Sequence, residues 1–114
     1  MKAIIFARGN DIQKQIEDGK EHALRKGYTV EGVVVGHGRD LPAVIDGLGI
    51  KIDRVIASNM ARITRNAREG YLLESDLEFE HGVLIEIVEN ERRNDLQDKL
   101  MKNLIRAIRE NDAR

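Results

Sequence analysis

Ala57-Ser58-Asn59-Met60-Ala61-Arg62-Ile63-Thr64-Arg65-Asn66 is the stretch that decides how this chain is read. The apolar run Asp53-Arg54-Val55-Ile56-Ala57 leads into it, and a long segment of helical periodicity leaves it. It therefore marks a point where a strand gives way to a helix. Arg62 and Arg65 fall about one helical turn apart. A second stretch of the same character lies near the start, Ile4-Ile5-Phe6-Ala7-Arg8-Gly9-Asn10, where another apolar run ends on an arginine. In an α/β fold the carboxyl ends of the strands gather on one rim of the sheet. Arg8, Arg62 and Arg65 are thus expected to converge there. Three guanidiniums at one spot make a phosphate site, because each offers a planar fork of donors matched to phosphate oxygens. The same arginines could instead be surface residues paired with Asp11, Asp40 or Glu69.

Working outward, the chain alternates between the two periodicities. Lys2 to Arg8 reads as a buried strand, since Ala3 to Ala7 is continuously apolar. Gly9-Asn10-Asp11 breaks it, and Asn10 or Asp11 is placed to cap the helix that follows. That helix puts Ile12, Ile16, Ala23 and Leu24 on one face and stops at Gly27. Tyr28 to Val35 is a valine-rich second strand, followed by the loop Gly36-His37-Gly38-Arg39-Asp40. Pro42 suits the first turn of a short helix carrying Val44, Ile45 and Leu48. Asp53 to Ala57 is the third strand. Arg62 to Glu80 reads as one helix, with Ile63, Ala67, Leu72, Leu73 and Leu77 inward and His81-Gly82 at its end. Val83 to Val88 is the fourth strand, and Asn94 to Arg109 a last helix with Leu96, Leu100, Leu104 and Ile108 in a stripe. Strands alternating with helices predict a three-layer α/β/α domain with a mostly parallel sheet of four to five strands.

Composition narrows the function classes. With 114 residues there is one domain, spanning 1–114, because two cores could not be built from so few residues. The net charge of −1 excludes a generally basic, nucleic-acid-coating protein, so any contact with nucleic acid must come from a local cluster. Without cysteine there is neither a disulfide framework nor thiolate chemistry. No signal peptide is legible at the start, and no run approaches the roughly 18 apolar residues of a membrane span. These features point to a cytoplasmic location. His22, His37 and His81 have no ligand spacing, so neither a metal nor a cofactor is expected. Gly36-His37-Gly38 lacks the third glycine of a dinucleotide fingerprint.

Four motifs in order resemble the catalytic domain of the serine recombinases, the resolvase and invertase family that includes the large serine integrases. That family opens on aromatic-Ala-Arg-Val-Ser, where this chain has Phe6-Ala7-Arg8-Gly9-Asn10. Its first helix commonly carries Gln-Leu-Glu and ends near a Gly-aromatic pair; Gln15-Ile16-Glu17 and Gly27-Tyr28 stand in those places. Its Leu-Asp-Arg-x-x-Arg motif falls on Met60-Ala61-Arg62-Ile63-Thr64-Arg65. Its Leu-Glu-x-x-Gly-Val pattern is similar to Leu77-Glu78-Phe79-Glu80-His81-Gly82-Val83, with Ile85 to Glu89 as the strand beyond. The resemblance covers about residues 1–90. It implies a resolvase-like fold with the strand order 2-1-3-4, action on DNA, and a phosphate-binding role for Arg8, Arg62 and Arg65.

It also implies what this chain lacks. The family's attacking serine falls on Asn10, and an amide cannot become a nucleophile near neutral pH. The family's aspartate falls on Ala61, the basic residue before it on Asn59, and an acid after the second strand on or near Gly36. The expected protein is thus a degenerate, catalytically inactive recombinase domain. It would bind DNA phosphate, or a recombinase partner, in site-specific recombination or its regulation. His37 and Arg39 are accessory candidates in the loop after the second strand, where His37 is either a phosphate contact or an ordinary solvent-facing residue. The matching last helix of the family forms a dimer interface and leads to a DNA-reading module. Here the 94–114 helix, with Leu96, Leu100, Leu104 and Ile108, is the candidate surface for a homodimer or a heterodimer with an intact recombinase, and no such module is expected after it. The alternative is an enzyme or binding protein for a small phosphorylated ligand, using the same arginines with His37 or Asp40 for proton transfer.

Overall fold

The computed structural model describes residues 1–90, and the predicted 94–114 helix with its leucine stripe lies outside them. Strand β1 (Lys2–Ala7) leads into helix α1 (Ile12–Lys26), and β2 (Thr29–Val35) follows. A single 3-10 turn (Gly38–Asp40) precedes α2 (Leu41–Gly47). Then come β3 (Arg54–Ala57), the one-turn α3 (Met60–Ile63), α4 (Ala67–His81) and β4 (Leu84–Ile87). The four strands form one sheet in the order β2-β1-β3-β4, every pair parallel, as the alternating pattern predicts.

The continuous apolar run of β1 is explained by its place. It is an inner strand covered on both faces, and Ala3 to Ala7 are all fully buried. Its pleat divides the core in two. Ile4 and Phe6 pack with Leu41, Ile45, Val55, Ala57, Ile63 and Leu77 under α2, α3 and α4. Ala3 and Ile5 pack with Ala23 and Ile56 under α1. β2 lies at an edge and shows the contrary pattern, alternating half-buried and exposed residues, with Val33 and Val35 outward.

The α1 side is more polar than the helical wheel predicts. Leu24 is exposed, whereas Gln15 and His22 are buried. Each of these polar residues is hydrogen-bonded, Gln15 to the loop before α1 and His22 across the sheet. His22 Nε2 lies 2.7 Å from Glu86 Oε2 on β4, and Arg54 Nε donates to Glu86 Oε1 at 3.1 Å. Tyr28 Oη donates to the same oxygen. Burial alone would raise the Glu86 carboxyl, but hydrogen bonds from His22, Tyr28 and Arg54 outweigh it and hold the group below its ordinary value. Burial and the neighbouring carboxylate push the Tyr28 phenol up. One carboxylate thus joins α1, the start of β2, β3 and β4.

Two expectations about helices need correction. The segment expected as one helix from Arg62 to Glu80 is two helices, broken at Thr64-Arg65-Asn66. Each has its own cap: Asn59 Oδ1 accepts from Arg62 N, and Asn66 Oδ1 accepts from Arg68 N and Glu69 N. The break rotates α4 relative to the continued periodicity, so Ala67 and Leu72 are exposed while Gly70 and Leu77 are buried. The second correction concerns α1. Asp11 stands at its N-cap position in the left-handed region, and neither its side chain nor that of Asn10 caps the helix. The Gln15 side chain organises that end instead.

Candidate nucleic-acid interface

The β1–α1 connection is held from beneath by Gln15, which is 4% exposed. Its Oε1 accepts from Arg8 N at 3.0 Å, and its Nε2 donates to Arg8 O at 2.9 Å and to Asn10 O at 2.7 Å. One buried amide therefore satisfies three backbone groups of a tight loop and fixes the direction in which Arg8 leaves the strand. Gly9, at φ +81°, makes the turn.

From the other side comes α3, launched by β3 beside β1. Its Arg62 Nη1 donates to Arg8 O at 3.2 Å. The guanidinium lies so close over the loop that a Cβ on Gly9 would stand 2.9 Å from it. The break after α3 then exposes Arg65 and turns Asn66 and Glu69 back toward the rim. The three predicted arginines line one open cleft, together with Gly9, Thr64, Asn66 and Glu69. Arg8 and Arg62 are half-buried and Arg65 is exposed. Among the described residues none of the three forms an ion pair with Asp11, Asp40 or Glu69, although Glu69 lines the same cleft. Three positive charges against one carboxylate leave the cleft with a positive excess, which favours an anion there.

Asn10 sits on the loop that opens this cleft, exposed, with its backbone carbonyl held by Gln15. Its side chain makes no hydrogen bond among the described residues. Ala61 lines the cleft, and its methyl offers no acid at the position where the family pattern has one. Asn59 is a helix cap whose Nδ2 also donates to Glu89 Oε1 at 3.2 Å. Gly36 carries no acid either, yet the Asp40 carboxylate reaches within 3.9 Å of where a Cβ on Gly36 would be. His37 and Arg39 do not reach the arginine cleft. They line a neighbouring one, which Arg8 also borders. Among the described residues no group of three His, Asp or Glu could hold a metal ion, and no helix is long and apolar enough to cross a membrane.

Two residues of this region escaped the sequence reading as contributors to the site. Gln15 is one; the family-like Gln15-Ile16-Glu17 triplet was its signal, but its role appears only when the loop folds over it. Glu69 is the other, an acid set between the arginines, whose Oε2 accepts from Thr64 Oγ1 at 3.2 Å. Its placement follows from the Asn66 cap, which a continuous helix would not have needed.

No protein-family profile and no curated protein sequence matches this chain. Solved structures do. The C-terminal catalytic domain of ISC1926 TnpA, an IS607-like serine recombinase, is similar with a TM-score of 0.64 and 27% identity, over 84% of this chain and 78% of that one. The N-terminal catalytic domain of TP901-1 integrase is similar with a TM-score of 0.68 and 17% identity, over 96% of this chain and 98% of that one. The structural neighbours are thus serine recombinase catalytic domains, and the four-stranded parallel sheet with its flanking helices is the resolvase-like fold.

Proposed function

We propose that this recombinase-like domain grips DNA phosphate through Arg8, Arg62 and Arg65, without cutting the strand, in site-specific recombination or its regulation. The carrying observation is that the three arginines meet in one cleft without an ion-pair partner among the described residues. Asn10 supports the non-cleaving part, since its amide cannot form a phosphoserine-type link. In this reading the domain acts by pairing with a second copy or with an intact recombinase, using the sequence stripe Leu96, Leu100, Leu104 and Ile108. A partner subunit without a nucleophile would stall strand exchange.

The test is binding of a labelled random-sequence duplex across a salt series, for the native chain and for Arg8→Ala/Arg62→Ala/Arg65→Ala, with folding checked by circular dichroism. Salt-sensitive binding that is lost in the folded triple variant is expected. Each phosphate contact removed should lower the slope of log K against log salt by about 1. Absence of binding by the native chain at low salt would remove DNA as a direct partner. The alternative, a small phosphorylated ligand, uses the same arginines. Of its two proton-transfer candidates, His37 lines the adjoining cleft and Asp40 does not.

A further inference from the structure

The arginine cleft does not end at the arginines. It shares Arg8, Thr64 and Glu69 with the neighbouring cleft between the 3-10 turn, α2 and α4, so the two adjoin. The second cleft has a different character. Its wall is apolar, made by Pro42, Ile63, Leu72 and Leu73. Its rim is polar, with His37 and Arg39 on the turn and Asp76 on α4. The Asp76 carboxylate has no closer ion-pair partner among the described residues than His81 Nε2 at 3.9 Å.

This combination restricts what an occupant can be. Inorganic phosphate would fill the arginine end and leave the apolar wall in water. A phosphate ester with an aliphatic body would cover the wall but offer no donor to the rim carboxylates of Glu69 and Asp76. A pyranose or open-chain sugar phosphate would satisfy the rim, but gain little from Leu72, which is 55% exposed, and Leu73. A planar heterocycle with an exocyclic amine meets all three demands. Its face covers the leucines and the proline, its amine donates to Asp76 or Glu69, and the Arg39 guanidinium or the His37 ring can stack on it. Such a ring joined to a phosphate through a pentose is a nucleotide.

We infer that the second cleft holds the base of an unpaired nucleotide whose phosphate lies on Arg8, Arg62 and Arg65. The inference rests on the phosphate reading above and adds that the nucleotide is unstacked, because a base inside a duplex cannot present its face to the leucines. Such a nucleotide is either the unpaired end of a DNA strand or a free 5′-mononucleotide, and one set of titrations separates them.

The full chain is titrated with inorganic phosphate, 2′-deoxyadenosine 5′-monophosphate, a blunt duplex, and the same duplex with a three-nucleotide 5′ overhang. The nucleotide is expected to bind at least about tenfold more tightly than inorganic phosphate, the effect of one stacked base. In Leu72→Asp, an exposed site where folding should survive, the ratio of nucleotide to phosphate affinity should fall to about one, whereas Arg65→Ala should weaken both ligands. Preference for the overhang over the blunt duplex assigns the site to a strand end; a nucleotide gain without that preference assigns it to the free nucleotide. Equal binding of nucleotide and phosphate, or a ratio unchanged in Leu72→Asp, overturns the base subsite and leaves the phosphate reading standing. Failure of all four ligands to bind overturns both.

Discussion

Arg62 Nη1 donates to the carbonyl oxygen of Arg8 at 3.2 Å, so the residue that opens one half of the cleft holds the residue that opens the other. The bond joins α3 to the end of β1 and fixes where both side chains begin. Gly9 is what allows it, through a positive φ and an absent Cβ. Gly9→Ala should therefore cost about 1 kcal/mol through the left-handed backbone alone. It should also push Arg62 off Arg8. Gly9→Asn, better suited to that backbone, should recover most of the stability in urea denaturation without recovering anion binding.

Gly38 sets the separation of the 3-10 turn from α3. A Cβ there would lie 2.5 Å from the Ile63 carbonyl oxygen and 2.6 Å from Ile63 Cγ2, and a backbone oxygen cannot swing aside. Gly38→Ala should destabilise by about 1–3 kcal/mol, the range for overpacking. Gly47→Ala, in α2 with nothing within 4 Å of the added atom, should stabilise by about 0.5–1 kcal/mol. Thermal unfolding of the pair separates lost space from ordinary glycine replacement.

Asn66→Ala removes the acceptor for Arg68 N and Glu69 N and should cost about 1 kcal/mol. Hydrogen exchange should accelerate first in the turn 67–70. Asn10→Ala, by contrast, removes a side chain with no hydrogen bond among the described residues and should lie within about 0.5 kcal/mol of the native chain.

The Glu86 cluster predicts a stability profile that falls at both pH extremes. Glu86 is depressed below its ordinary 4.5, so its contribution is complete above that value and is lost as the pH falls toward the lower, folded one. Tyr28 is raised above its ordinary 10.0, so its contribution is complete below that value and is lost as the pH climbs past it. Glu86→Gln should flatten the acid limb, soften the alkaline one, and cost about 1–3 kcal/mol near neutrality as charge-assisted hydrogen bonds are lost. Chemical denaturation at a series of pH values measures all three effects.

The strands were legible because burial on two faces leaves an unmistakable apolar run, as Ala3 to Ala7 shows. The parallel sheet follows from the alternation of elements, its order from the resolvase-like motifs, and the two strand ends gave the arginines. What periodicity could not show was the break at Thr64-Arg65-Asn66, since a single Asn can either continue a helix or cap a new one. Carrying the period through it put Leu72 inward, when it borders the second cleft. The buried polar residues were hidden for another reason. His22 looks like a surface residue until a carboxylate 64 positions away arrives beside it. Gln15 likewise has its meaning only in the loop that folds around it.

That loop has a consequence for substitution at position 10. Gln15 holds the backbone at positions 8 and 10 through main-chain atoms alone, so its grip is indifferent to which side chain position 10 carries. Asparagine and serine codons can differ by one base. A single transition would therefore set a hydroxyl on a loop whose backbone Gln15 already holds. Asn10→Ser should accordingly leave the three main-chain hydrogen bonds of Gln15 in place and require no remodelling of the loop.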